Sequence, residues 1–201
     1  MRNKHLKESF YLNKNIIDVS ENLLGKVLVT NINNTITSGI IIETEAYAGI
    51  DDKASHAYNN KRTQRTETMY QKGGIAYVYL CYGMYYLFNV ITNIEDVPHA
   101  VLIRAIEPLD GINEMQRRRK IKSKKYNLTN GPGKLSIALG IDKSFNGESL
   151  LSNIVWIQDN GIKFNKKDIL SRPRIGVDYA KEDATLPYRF YIKDNKWISK
   201  L

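Results

Sequence analysis

Residues 73–94 read GGIAYVYLCYGMYYLFNVITNI, a stretch without a single Asp, Glu, Lys or Arg. A run of this length is long enough in principle to cross a bilayer. Its interior argues otherwise. Tyr77, Tyr79, Tyr82, Tyr85 and Tyr86 are scattered through it instead of gathering in belts at its two ends, and Gly83 interrupts the middle. Tyr, Val, Ile and Phe at this density favour strands. The stretch therefore predicts two strands, Ala76–Cys81 and Tyr85–Ile91, joined by a tight turn around Gly83.

Working outward, Ser9–Leu12 reads as a short lead-in and Ile16–Leu24 as a helix with Asp18 and Ser20 near its start. Lys26–Asn31 and Thr37–Tyr47 are rich in Val, Ile and Thr and read as strands. Ala48–Gln71 is polar and irregular, and a loop of that length in a compact domain usually carries function. Downstream, Ala100–Ile106 reads as a strand broken by Pro108, and Asp110–Arg119 as a helix. Leu135–Leu139 reads as a helix opened by Gly131-Pro132-Gly133. Ile154–Gln158, Ile175–Val177 and Arg189–Ile192 read as later strands. Seven of the nine residues from Arg117 to Lys125 are basic, which marks 116–130 as a mobile loop. There are no internal repeats and no strict βαβ period. The expectation is one α+β domain over 1–201, built on a largely antiparallel sheet.

The 201 residues carry 30 Lys+Arg against 21 Asp+Glu, a net charge of +9. Hydrophobic content of 42% excludes wholesale disorder. The lone Cys81 excludes a disulfide framework and a Cys-rich zinc module, and it suits a reducing compartment. His5, His56 and His99 lack metal-ligand spacing, and no Walker A or GxGxxG loop is present, so neither metal nor nucleotide cofactor is expected. The first eight residues have no apolar core of signal-peptide length, so a cytoplasmic site is expected, nucleoid-associated in a bacterium. The charge is uneven. Residues 1–60 are net −1, 61–125 net +6 and 126–201 net +4. Such a basic body suits a polyanion partner.

Three clusters could carry chemistry. A period of two places Glu43, Glu45 and Tyr47 on one strand face, where a carboxylate beside an aromatic ring could make a pocket with a general base. Composition does not choose between the two glutamates. His56 sits in the polar loop. Tyr77 and Tyr79 share a face of the hairpin, with Tyr82 beside the turn, and exposed rings near basic surface suit base stacking. These residues alone fit a nucleic-acid enzyme and a plain binding module equally well.

Taken in order, the pieces add up to more. Glu43-Thr44-Glu45-Ala46-Tyr47, His56 nine residues on, Thr63 to Arg65, Tyr77-Val78-Tyr79, Tyr82-Gly83-Met84-Tyr85 and Asn89 resemble the alkyladenine (3-methyladenine) DNA glycosylase family. Ala100 to Pro108, Asn130 to Leu135, Pro173 to Val177 and Pro187 to Tyr191 continue the likeness over nearly the whole chain. The resemblance implies a curved sheet with a DNA-inserting hairpin. It also implies an enzyme that flips a damaged purine from double-stranded DNA and hydrolyses its N-glycosidic bond, leaving an abasic site. Glu45 then corresponds to the base that activates water. Tyr47 and Tyr79 correspond to the rings that sandwich the flipped base, with His56 beside them and Asn89 crowding the N2 amino group of normal guanine. Tyr82 corresponds to the wedge left in the vacated space. Arg104 corresponds to a basic residue near the target phosphate and the catalytic carboxylate, and Thr63, Arg65 and Lys134 to DNA-backbone contacts. No lysine falls at a matched active-site position, so a monofunctional enzyme without a lyase step is implied, acting as a monomer without a membrane. Gln64 departs from the family, which often has proline there. Glu43 fits the pattern but receives no role from it. The alternative is a non-catalytic lesion-binding protein on the same fold. An RNA-processing enzyme has only composition behind it.

Overall fold

β-Branched and aromatic residues at alternating positions build an antiparallel sheet wherever the chain is buried. The computed structural model describes residues 4–122 and 126–199; the centre of the basic run, 123–125, lies outside them. The strands are β1 (Val27–Ile32), β2 (Thr35–Tyr47), β3 (Ala76–Cys81), β4 (Tyr85–Thr92), β5 (His99–Pro108), β6 (Val155–Gln158), β7 (Ile169–Arg172) and β8 (Arg189–Ile192). Their order is β3-β4-β5-β2-β1-β6, with β8 joining β2 to β7. β2 organises the whole sheet. One edge pairs with β5 along most of its length, while the other changes partner from β1 at Thr35–Ile40 to β8 at Glu43–Glu45. That change of partner, with a register irregularity around Ile42, curls the sheet into a half-barrel.

Among the described residues four α-helices flank it: α1 (Glu8–Tyr11), α2 (Ile16–Leu23), α3 (Ile112–Arg119) and α4 (Pro132–Leu139). α2 starts at Asn15, whose side-chain oxygen accepts from the Ile17 and Asp18 amides. It buries Ile16, Val19 and Leu23 in the main core with Ile41 and Ile42 of β2. Pro132 opens α4 in the first turn, where its missing N–H costs nothing. No helix among the described residues is long and apolar enough to cross a membrane.

The hairpin forms as the tyrosine spacing predicts. Cys81 pairs with Tyr85, the Met84 amide donates to the Cys81 carbonyl at 3.1 Å, and the turn holds Tyr82 at φ +51° and Gly83 at φ +68°. Positive φ is natural for glycine and uncommon for a tyrosine, so the turn presents the Tyr82 ring outward at a cost of about 1 kcal/mol. Two expectations need correction. Ile175–Val177 is not a strand; it is a loop whose amide serves the site described below, and the late strand lies at Ile169–Arg172. The sequence Ile-Leu-Ser-Arg is short and does not alternate, so it gives little strand signal. Pro108 does not break β5 short of itself; it closes the strand, opposite Gly39. The polar loop 48–71 holds three short 3₁₀ turns, at Gly49–Asp51, Tyr58–Asn60 and Glu67–Tyr70. Beside the basic run, Arg119 donates to the carbonyl of the fully buried Leu128 at 3.2 Å.

Candidate active site

The irregularity in β2 falls where the two glutamates meet Arg104. Ile41 pairs with Ile106, Glu43 with Ala105 and Thr44 with Ile103, so Arg104 drops out of the regular ladder. Its guanidinium reaches both carboxylates: Nε to Glu43 Oε1 at 3.1 Å and Nη1 to Glu45 Oε1 at 3.1 Å. Glu43 and Glu45 are both fully buried. Such charges survive burial only when paired and hydrogen-bonded. Burial works against the charge of Arg104, and the carboxylates of Glu45 and Glu43 more than offset it.

The two glutamates differ in what else holds them. Glu45 Oε1 also accepts the Ile175 amide at 2.8 Å, and Oε2 accepts the Tyr47 hydroxyl at 2.9 Å. Glu43 instead accepts the Arg189 guanidinium at 3.1 Å and both the amide and hydroxyl of Ser199, at 2.6 and 2.7 Å. Burial, reinforced by the Glu45 charge, pushes the Tyr47 hydroxyl well above its usual pKa, so it stays a proton donor to the carboxylate.

In front of Glu45 opens a cavity of about 460 Å³, lined by Tyr47, His56, Arg65, Tyr79, Tyr82, Asn89 and Arg104 among others. That volume is in the range of small-ligand pockets. The His56 ring meets Tyr79 edge-on, centroids 4.6 Å apart, and its Nδ1 shares a hydrogen bond with the Tyr77 hydroxyl at 3.0 Å. Burial, with Arg65 and Lys61 nearby, lowers His56 to about 4, so it is neutral at ordinary pH. Asn89 is fixed by donating its amide to the Tyr77 carbonyl at 3.0 Å. At the mouth, Tyr82 is 84% exposed, flanked by exposed Leu80 and Met84.

A family model described as methylpurine-DNA glycosylase matches residues 9–196. The chain belongs to that family. A relative from Clostridium perfringens (strain 13 / Type A) is 49% identical over 97% of this chain and 98% of its own. One from Chlamydia abortus is 52% identical over 93% and 97%, and one from Natranaerobius thermophilus 46% identical over 94% and 96%. All three are named, provisionally, 3-methyladenine DNA glycosylases.

The fold of this methylpurine-DNA glycosylase family member gathers most of the residues picked from the sequence. Tyr47, His56, Tyr79, Asn89, Tyr82, Arg65 and Arg104 line one cavity, and Glu45 lies directly behind Tyr47 and Arg104. Arg65 faces the cavity with its guanidinium 5.2 Å from the Tyr79 ring centre. Thr63 and Lys134 stand apart. Thr63 holds a turn with Thr66, and Lys134 donates to Asn130 on the flank of α4.

Other residues of the site gave no signal in the sequence. Arg174, fully buried, makes a paired contact with Asp52 (Nη2 to Oδ1 at 2.8 Å) and donates to the Ala46 carbonyl at 2.8 Å. It also lies over the Tyr47 ring at 4.8 Å. Asp52 accepts the Ala48 amide at 3.0 Å, so this pair ties the polar loop to the strand end that carries Tyr47. The Ile175 amide and Ser199 complete the carboxylate shell. Backbone donors leave no trace in residue identity, and Asp52 and Arg174 lie 122 positions apart. The run Pro173 to Val177 was noticeable only as part of the family likeness.

Proposed function

We propose that this family member excises alkylated purines such as 3-methyladenine from double-stranded DNA by hydrolysis at the N-glycosidic bond, and takes etheno and deaminated purines into the same cavity. The observation that carries the reading is a buried carboxylate, Glu45, oriented by three donors at the back of an aromatic cavity. A carboxylate oxygen has two lone pairs. Oε1 of Glu45 is ion-paired with Arg104 and accepts the Ile175 amide, whereas among the described residues Oε2 accepts from Tyr47 alone. The remaining lone pair on Oε2 is the place for the proton of an attacking water at the cavity floor.

The flipped base stacks between Tyr47 and Tyr79 beside neutral His56. Unstacking costs a few kcal/mol, least for a lesion that pairs badly, and ring stacking returns about 1–3 kcal/mol per base. Water then bonds to C1′ as the C1′–N bond breaks. The electron pair leaves on the purine, which a ring-alkylated cation accepts without prior protonation, and the water proton passes to Glu45. The Glu45 charge also stabilises the oxocarbenium-like sugar. A general acid for the leaving group, as in ordinary glycosidases, is unnecessary for such lesions. Tyr82 fills the gap in the stack, Asn89 crowds the guanine amino group, and Thr63, Arg65 and Lys134 serve the DNA backbone. Arg104 approaches the target phosphate from the cavity side. The enzyme works as a monomer in the cytoplasm, and with no lysine among the described residues that line the cavity it makes no Schiff base.

The test is a duplex with one ethenoadenine or hypoxanthine, and methylated DNA for 3-methyladenine release. Cleavage is expected only after alkali, and Glu45→Gln should abolish it. Absence of release from every alkylated or deaminated purine defeats the proposal, and scission without alkali defeats the monofunctional part. A Glu45→Gln protein that still binds lesions while the parent never cleaves favours the non-catalytic alternative.

A further inference from the structure

We infer that Glu43 and Ser199 are positioning residues for the reaction: a second, non-reacting carboxylate and a hydroxyl that clamp Arg104 so that one of its nitrogens meets Glu45. This rests on Glu45 being the water-activating group.

Each guanidinium nitrogen of Arg104 has its own partner. Nε goes to Glu43 Oε1 at 3.1 Å, Nη2 to Ser199 Oγ at 3.3 Å, and Nη1 to Glu45 Oε1 at 3.1 Å. Arg104 lines the cavity, whereas its three partners Glu43, Glu45 and Ser199 stand behind that lining. A planar fork held at two corners has no freedom at the third. Glu43 is itself held from three directions, by Arg104, by Arg189 and by Ser199, whose amide and hydroxyl both reach it. Ser199 comes from 156 residues further along the chain, so the late segment closes the clamp that the early strand begins.

The alternative is a buried ion pair that merely holds the fold. The two differ in what they give Glu45. A plain structural pair needs no contact with it. Here the same guanidinium donates to Glu43 and forms an ion pair with Glu45, so any slackness at Glu43 or Ser199 is passed to the carboxylate assigned to water activation. The shift required is small, because misplacement of a catalytic group by an ångström can cost about a hundredfold in rate.

The informative variant is Ser199→Ala, which deletes one Arg104 contact and one Glu43 contact but keeps the Ser199 amide on Glu43. Single-turnover excision of ethenoadenine from a duplex should slow by about tenfold. The affinity for that duplex, read from the concentration dependence of the same traces, should stay within about twofold. With Arg104 held less firmly against Glu45, the acidic limb of the pH–rate profile should move to higher pH. Ser199→Thr, which keeps the hydroxyl, should restore rate and profile. Glu43→Gln, which removes the charge that holds Arg104 Nε, should slow the same step while lesion affinity holds, provided it folds. A Ser199→Ala protein with unchanged rate and profile overturns the inference, as does one whose rate falls only in step with its thermal stability and lesion affinity. Glu45→Gln, run alongside, separates the outcomes: full activity there removes the assigned base, whereas loss of activity there with an unaffected Ser199→Ala removes only the clamp.

Discussion

At the back of the cavity, Glu45 is fully buried and held by an arginine, a backbone amide and a tyrosine hydroxyl. At its mouth, Tyr82 is 84% exposed on a turn with positive φ, between exposed Leu80 and Met84. The contrast matches the work proposed for each end. A group that must meet a reacting atom in one geometry gains from an over-determined shell. A ring meant to enter another molecule must keep its apolar surface free until it does so. Large exposed apolar side chains clustered at a hairpin tip are costly in water, and such patches mark interaction sites. Stability is concentrated at one end and binding capacity at the other.

Substitutions can break or sharpen this contrast. The largest effect is expected from Glu45→Gln, which should lower the single-turnover rate by about 10²–10⁴ while lesion affinity persists, measured with rapid quench and filter binding. A parallel collapse of affinity would mean that Glu45 shapes the cavity more than it activates water. Next comes Arg174→Met. It leaves Asp52 buried without its partner, so chemical denaturation should show a loss of about 3–5 kcal/mol. The Tyr47 ring, released from the guanidinium above it, should also stack less well on the lesion. A stable Arg174→Met protein would show that the back of the site is less tightly determined than its contacts imply.

The third effect is pH-dependent. His56 is lowered to about 4 in the folded protein from an ordinary 6.5, burial being the main cause. Between these values the unfolded chain binds the proton and the folded one resists it, so stability rises with pH across that window. The contribution is fully present above about 6.5 and is lost as pH falls toward 4, amounting to about 3 kcal/mol. His56→Gln should flatten the acid side of a Tm-against-pH curve, and an unchanged curve would deny that His56 is buried in neutral form. The smallest effect belongs to the mouth. Tyr82→Ser should weaken lesion binding by about 1–3 kcal/mol and leave Tm and salt-dependent non-specific binding nearly unchanged. If non-specific binding and stability fall with it, Tyr82 is packing the fold and the contrast fails.

The two ends also differ in how far the sequence disclosed them. The hairpin was legible because its information is local: a dense, charge-free run of Tyr, Val, Ile and Phe interrupted by Gly83 signals two strands and the turn between them. The carboxylate end was legible only in part. Period two placed Glu43 and Glu45 on one face, but local pattern had no means of separating them. Their difference lies in partners: Ser199 for one, and Ile175 with Tyr47 for the other. The misread segment Ile175–Val177 has the same origin. Its residues are strand-like, yet its amide is taken by a carboxylate 130 positions earlier instead of by a neighbouring strand.

The sequence by itself determined a basic chain with an acidic minority, a charge-free stretch that had to be a hairpin, and an ordered set of motifs belonging to one family. The first two are properties of composition and local pattern, which need no knowledge of distant neighbours; the third rests on likeness to a known family. Only the tertiary structure decided which partners each glutamate has, why Arg104 can serve both, and that Asp52 and Arg174 hold the ring of Tyr47. The physical reason is that buried charges must be paired, and the chain supplies those partners from wherever the curled sheet brings them together.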